Sequence, residues 1–92
     1  MTLDQFVNEL ISRSASAGFQ LFQLTQMRDE YGTVSAVQAL VERSEDTSGL
    51  AFLVEHELQG WSLEAAVVNY PNHFPSETVG LARSRLAKIK HM

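Results

Sequence analysis

The chain has 92 residues, of which 45% are hydrophobic and 20% are charged, and its formal net charge is −4. This composition argues against intrinsic disorder, and the absence of cysteine excludes disulfides and zinc sites built on thiolates. No apolar run approaches the roughly 20 residues of a membrane span, and the N-terminus lacks the basic region of a signal peptide, so we expect a single cytoplasmic domain over residues 1–92.

The first predicted helix covers residues 3–17. Its apolar residues recur at i, i+3, i+4, i+7 and i+8, which places them on one face of an α-helix. These residues are Leu3, Phe6, Val7, Leu10 and Ile11. Thr2 and Gln5 have the spacing of a capping box, and Gly18 fits the left-handed position that ends many helices.

Residues 19–31 are ambiguous in their periodicity. Partial alternation of apolar residues suits a strand, but a lone strand would leave its backbone groups unpaired, so we predict a second helix that ends at Gly32. A third helix is predicted from Thr33, as its N-cap, to the polar run 44–48. Its inward face is predicted to carry Val34, Val37, Leu40 and Val41.

A fourth helix is predicted between Gly49 and Gly60. Ser62 is the predicted N-cap of a fifth helix, and Trp61 before it could pack on Ala66 as a hydrophobic staple. This fifth helix must stop near Pro71, because proline removes a backbone donor and disfavours a helical residue before it.

The sixth predicted helix starts at Pro75 and Ser76. Its inward positions are Val79, Ala82, Leu86 and Ile89. Gly80 inside it costs up to about 1 kcal/mol relative to alanine, unless close packing requires a small residue there. Helices this short are not stable alone, so the chain is predicted to be all-α, a single compact orthogonal bundle of about six short helices.

No residue pattern indicates catalysis. Glu55, His56 and Glu57 are adjacent on a predicted helix, so they point in different directions, and they do not match the HExxH zinc spacing. The five glycines are isolated and do not form a phosphate-binding loop. We therefore predict that the protein is not an enzyme and uses no metal and no cofactor.

Glu64 is the acidic residue of greatest interest. It lies in the first turn of the fifth predicted helix, where a carboxylate meets the positive end of the helix dipole. We expect it to form a structural ion pair with Arg83 or Arg85 of the last helix.

Basic residues are concentrated at the C-terminus. They are Arg83, Arg85, Lys88 and Lys90, and the last thirteen residues contain no acid. Cations here oppose the negative end of a helix dipole, and the same cluster could bind an anion or nucleic acid. A helix-turn-helix around Gly32 is a weaker alternative, because its second helix offers Arg43 alone against Glu42.

Large apolar side chains are frequent for a chain of this length. Trp61, Phe19 and Phe22 are candidates for a partner-binding patch, because tryptophan and other aromatic residues are enriched in interfaces. A tryptophan before a helix cap more often fills a junction between helices. We predict a small non-enzymatic protein–protein interaction or adaptor module whose partner is another protein or a second copy of the chain. The alternatives are a nucleic-acid-associated protein and, third, a protein with a small-molecule pocket between its helices.

Residues 32–86 resemble a set of small, uncharacterised bacterial proteins, some of which are carried in mobile, integron-type gene cassettes. The resemblance rests on the segments GTVSAVQALV, SGLAFLVEHELQGWSLEAAVV and LARSRL, together with Phe74. It implies an all-helical fold and implies no activity, so no catalytic or binding residue follows from it.

Overall fold

A computed structural model describes residues 1–18, 20–43 and 59–89. These ranges contain five α-helices and two short 3-10 turns, and they contain no β-strand. The helices are α1 (Leu3–Ser16), α2 (Phe22–Tyr31), α3 (Thr33–Arg43), α4 (Leu63–Asn69) and α5 (Ser76–Ile89), and the turns are Gln59–Trp61 and Pro71–His73. The all-α prediction is confirmed, and the described ranges contain five helices where six were predicted for the whole chain. The helix predicted between Gly49 and Gly60 falls on residues 49–58, which lie outside the described ranges.

The predicted start and end of α1 are both confirmed. The backbone N–H of Gln5 donates to the Thr2 hydroxyl at 3.2 Å, and the Gln5 side chain accepts the Thr2 N–H at 2.9 Å, which completes the capping box. Gly18 has a φ of 94° and follows the last helical turn in the expected left-handed conformation. The apolar stripe of α1 faces the core, with Val7 and Leu10 fully enclosed.

The second helix is confirmed with its predicted end at Gly32, whereas the predicted N-cap of the third helix is wrong. The second helix begins at Phe22, with Leu21 at its N-cap and no side-chain cap, and the strand alternative fails because residues 22–31 are helical. Thr33 is the first residue of α3 and not its cap. The carbonyl of Gly32 accepts the first helical bond, from Ala36 at 3.0 Å, so Gly32 holds the N-cap position.

From residue 62 to residue 89, the helix ends lie close to where they were predicted. The Ser62 hydroxyl accepts the backbone N–H of Ala65 at 3.0 Å and caps α4. Pro71 ends that helix and opens the 3-10 turn, after which α5 begins at Ser76. Small residues lie where α4 packs on α5, and they allow the two helices to approach closely. The fully or nearly fully buried ones are Ala65, Ala66 and Ala82.

A single core joins all five helices. Its members are Leu3, Phe6, Val7, Leu10, Leu24, Ala36, Val37, Val41, Ala65, Ala66, Val67, Phe74, Val79 and Ala82. Only Leu24 of α2 belongs to this set, with Met27 partly buried against it, so most of the surface of α2 stays exposed. The radius of gyration of 12.0 Å equals the value of about 12 Å expected for a folded domain of this length. No described helix has the length and apolar character needed to cross a membrane.

Candidate functional site

The structure pairs Glu64 with Arg85, one of the two expected partners. Arg85 is 9% exposed, and its Nη1 atom lies 3.7 Å from Glu64 Oε1 and donates to the Val41 carbonyl at 2.6 Å. Val41 is in the last turn of α3, where helix carbonyls lack intrahelical partners. The guanidinium therefore joins α3, α4 and α5, whereas Arg83 is exposed.

Burial dominates the electrostatics of this pair. Loss of solvation raises the pKa of the Glu64 carboxyl above its usual value, and hydrogen bonding within the first turn together with the Arg85 charge lowers it by less. A buried ion pair typically fails to recover the full desolvation cost of its charges. A second polar contact supports the same junction, since the buried Thr78 hydroxyl donates to Glu42 Oε1 at 2.7 Å. These contacts hold α3, α4 and α5 together.

Trp61 is the last residue of the first 3-10 turn, and its side chain packs against α1. Its ring stacks on Phe6 with centroids 4.8 Å apart, and the Arg13 guanidinium carbon lies 4.4 Å from the ring centroid. Phe6 and Arg13 are two turns apart on α1, about 10.5 Å along its axis, so the ring lies between them. Arg13 is also held by Glu9 at 2.9 Å. The half-buried Trp61 ring is thus engaged within the protein.

Phe22, by contrast, projects from the first turn of α2 and is 75% exposed. Phe19, the third aromatic candidate, lies outside the described residues. The sequence reasoning did not select Tyr31, which is 66% exposed at the other end of α2. Trp61, Phe19 and Phe22 were selected as candidates because of their residue types. The exposure of Tyr31, by contrast, follows from the packing of α2, which buries few of its side chains.

A groove of about 540 Å³ lies between α2 and α3 and includes Tyr31 in its wall. We call it the α2–α3 groove, and its lining residues are Gln23, Gln26, Met27, Glu30, Tyr31, Ser35, Ala39 and Arg43. Met27 and Ala39 are half-buried and provide its apolar floor, while the amides and charges stand at its edges. None of these residues belongs to a recognisable motif, so only the packing of the two helices reveals the site.

A polar cluster fixes this pair of helices to α1. The Arg28 side chain donates to the Asn8 side chain, to the Thr33 hydroxyl at 2.8 Å and to the Asp4 carbonyl at 3.2 Å. The Thr33 hydroxyl donates to the Asp4 carboxylate. This bond, followed by the contact with Arg28, lowers the pKa of Asp4. The junction of α2 and α3 is therefore held in place at the turn end of the groove.

The basic C-terminal residues do not form one face in the described part of the chain. Arg85 points inward to Glu64, and Lys90 lies outside the described residues. Arg83 and Lys88 are exposed, but five residues of helix separate their directions by about 140°. Residues 1–18, 20–43 and 59–89 contain no group of three or more metal-ligating side chains that could hold an ion.

In comparisons with known proteins, the chain matches no family model, and no curated protein or solved structure shows significant similarity to it. The resemblance to gene-cassette proteins stays a prediction.

Proposed function

We propose that this protein is a small, non-enzymatic interaction module that binds a protein partner at the α2–α3 groove. The observation that supports this proposal best is that α2 buries few of its side chains. Of its ten residues only Leu24 is buried and Met27 packs partly buried against the core, yet the helix presents Phe22 and Tyr31 to solvent, with Tyr31 in the wall of the groove. A helix that is largely exposed and carries two aromatic residues is typical of a docking surface.

The composition of the groove agrees with a protein partner. Tyrosine, methionine and arginine are enriched in protein interfaces, and the groove offers Tyr31, Met27 and Arg43. A site for a small ligand usually encloses most of that ligand, whereas this groove is largely open to solvent. An extended or helical protein surface fits such an open groove better.

The attachment of the groove to the rest of the fold also favours binding. Arg28 and Thr33 connect the junction of α2 and α3 to Asp4 and Asn8 of α1. A surface that is already ordered loses less conformational entropy when a partner docks. Nucleic-acid association has weaker support, because Arg83 and Lys88 are the described exposed cations of α5 and diverge, and phosphate binding needs several cations on one face.

Site-specific photocrosslinking tests the proposal. A benzophenone amino acid replaces Tyr31 in the groove or, as a control, Arg83 on α5, and each variant is irradiated in expressing cells. Both side chains are exposed, so both variants should fold. We expect a discrete protein adduct from position 31 that position 83 does not give. Equal patterns from both positions, or no adduct from position 31, would refute a partner site in the groove.

A further inference from the structure

We propose that the partner in the α2–α3 groove is a second copy of this chain, docked in an antiparallel, two-fold arrangement. This inference rests on the proposed function, because it names the occupant of the same groove. It adds a register, since Glu30 of each copy would face Arg43 of the other.

The order of charges along the groove gives this register. Gly32 alone separates α2 from α3, so the chain turns back and the two helices line the groove from opposite directions. Glu30 and Ser35 lie near the turn, and Gln23 and Arg43 lie at the far end, about 10 Å away along the helices. The groove is therefore acidic at one end and basic at the other.

Both charges are available to a partner. Glu30 and Arg43 are exposed, and within the described residues neither takes part in an ion pair. A two-fold axis through the middle of the groove exchanges its ends, so each acid meets a base at both ends of the interface. A parallel arrangement would place Glu30 on Glu30 and Arg43 on Arg43, and repulsion disfavours it.

The centre of the groove suits the same axis. Met27 lies near the midpoint of α2, so a two-fold axis there places the methionines of the two copies at the same level along the interface. Methionine adapts its shape readily, so it can adjust to the surface of the other copy. One groove and one helix face supply less than the roughly 800 Å² per partner of a standard interface, so we expect a weak, rapidly exchanging dimer.

A charge-swap mixing experiment tests this register. Sedimentation equilibrium follows the mass of the native chain, of Glu30→Arg, of Arg43→Glu and of an equimolar mixture of the two variants, from about 10 µM to about 1 mM. Each single variant brings like charges together at both ends, so we expect its dimerisation to weaken at least tenfold. In the mixed dimer both ends pair opposite charges again, and the mixture should regain the association of the native chain.

Matched controls separate this effect from net charge and from folding. Glu77→Arg and Arg83→Glu make the same charge changes at exposed positions of α5 and should leave dimerisation unchanged. Circular dichroism should show native helicity for all four variants, since the substituted side chains are exposed. Equal weakening by the α5 variants would overturn the proposed register.

Two further results would also overturn the inference. One is a native chain that stays monomeric at about 1 mM, and the other is a mixture that associates no better than the single variants. If the chain is monomeric and the crosslinker at position 31 captures a different polypeptide, the groove binds a partner but not a second copy. If there is neither self-association nor a groove-specific adduct, the proposed function fails as well.

Discussion

Replacing Arg85 by methionine should greatly destabilise the protein at neutral pH. The substitution keeps an unbranched stem but removes the guanidinium that contacts Glu64 and the Val41 carbonyl. The Glu64 side chain is 12% exposed, so its carboxylate would remain buried without this cation. Removing one partner of a buried pair costs about 3 to 5 kcal/mol. A domain of this length has a total stability of about 5 to 14 kcal/mol, so the loss is a large share of it.

The destabilisation should depend on pH with a definite sign. Burial raises the folded-state pKa of Glu64 above 4.5, its value in the unfolded chain, so the ionised carboxylate opposes folding. That penalty is absent below pH 4.5 and grows as the pH rises through the folded-state pKa. Removal of the Arg85 charge moves the folded-state pKa further up. The stability difference between native protein and Arg85→Met should therefore shrink on acidification.

Urea denaturation followed by circular dichroism at pH 7 and near pH 5 measures both effects. Arg83→Met is the matched control, because this exposed arginine lies two residues away and should change stability by less than about 0.5 kcal/mol. Adding Glu64→Leu to Arg85→Met should recover part of the loss, since it removes the unpaired charge. A loss below about 1 kcal/mol at pH 7, or one that is unchanged at the lower pH, would refute this account of the pair.

Three further substitutions test two glycines and the polar cluster. Gly80→Ala should raise the unfolding free energy by about 0.5 to 1 kcal/mol, because Gly80 is helical and an added Cβ meets no described atom within 4 Å. Gly18→Ala should lower the unfolding free energy, because φ is +94° at this position. Thermal melts check both predictions, since the two substitutions should shift the midpoint in opposite directions. Asp4 has a lowered pKa, so it stabilises the fold above pH 3.8 and this contribution is lost as the pH falls. Asp4→Asn should remove that part of the acid dependence; an unchanged acid profile would contradict the bond from Thr33.

Local signals in the sequence predicted the parts of the fold that local chemistry determines. The capping box of α1 and the cap at Ser62 each depend on residues three positions apart, and both are present. Thr33 has the same chemistry, but its hydroxyl is engaged by Asp4 and Arg28 from distant positions. Tertiary contacts therefore determine the role of Thr33, and these contacts cannot be predicted from the spacing of residues in the sequence.

The rotation of α5 explains why the partner of Glu64 was ambiguous. Predicted inward residues such as Val79 and Leu86 centre the buried face almost midway between Arg83 and Arg85. The structure turns this face toward Arg85, because Thr78 is buried and bonds to Glu42. A buried threonine cannot be recognised by hydrophobic periodicity. The α2–α3 groove was not predicted for a related reason, since it is lined in part by α2 side chains that stay outside the core, and their placement depends on tertiary packing.

Trp61 is an intrinsic fluorescent probe of the packing of α1. It is the sole tryptophan, and its indole lies between Phe6 and Arg13 of α1. Separation of α1 from this indole would expose it to water and shift its emission to longer wavelength. Fluorescence can therefore time the docking of the first helix without a label.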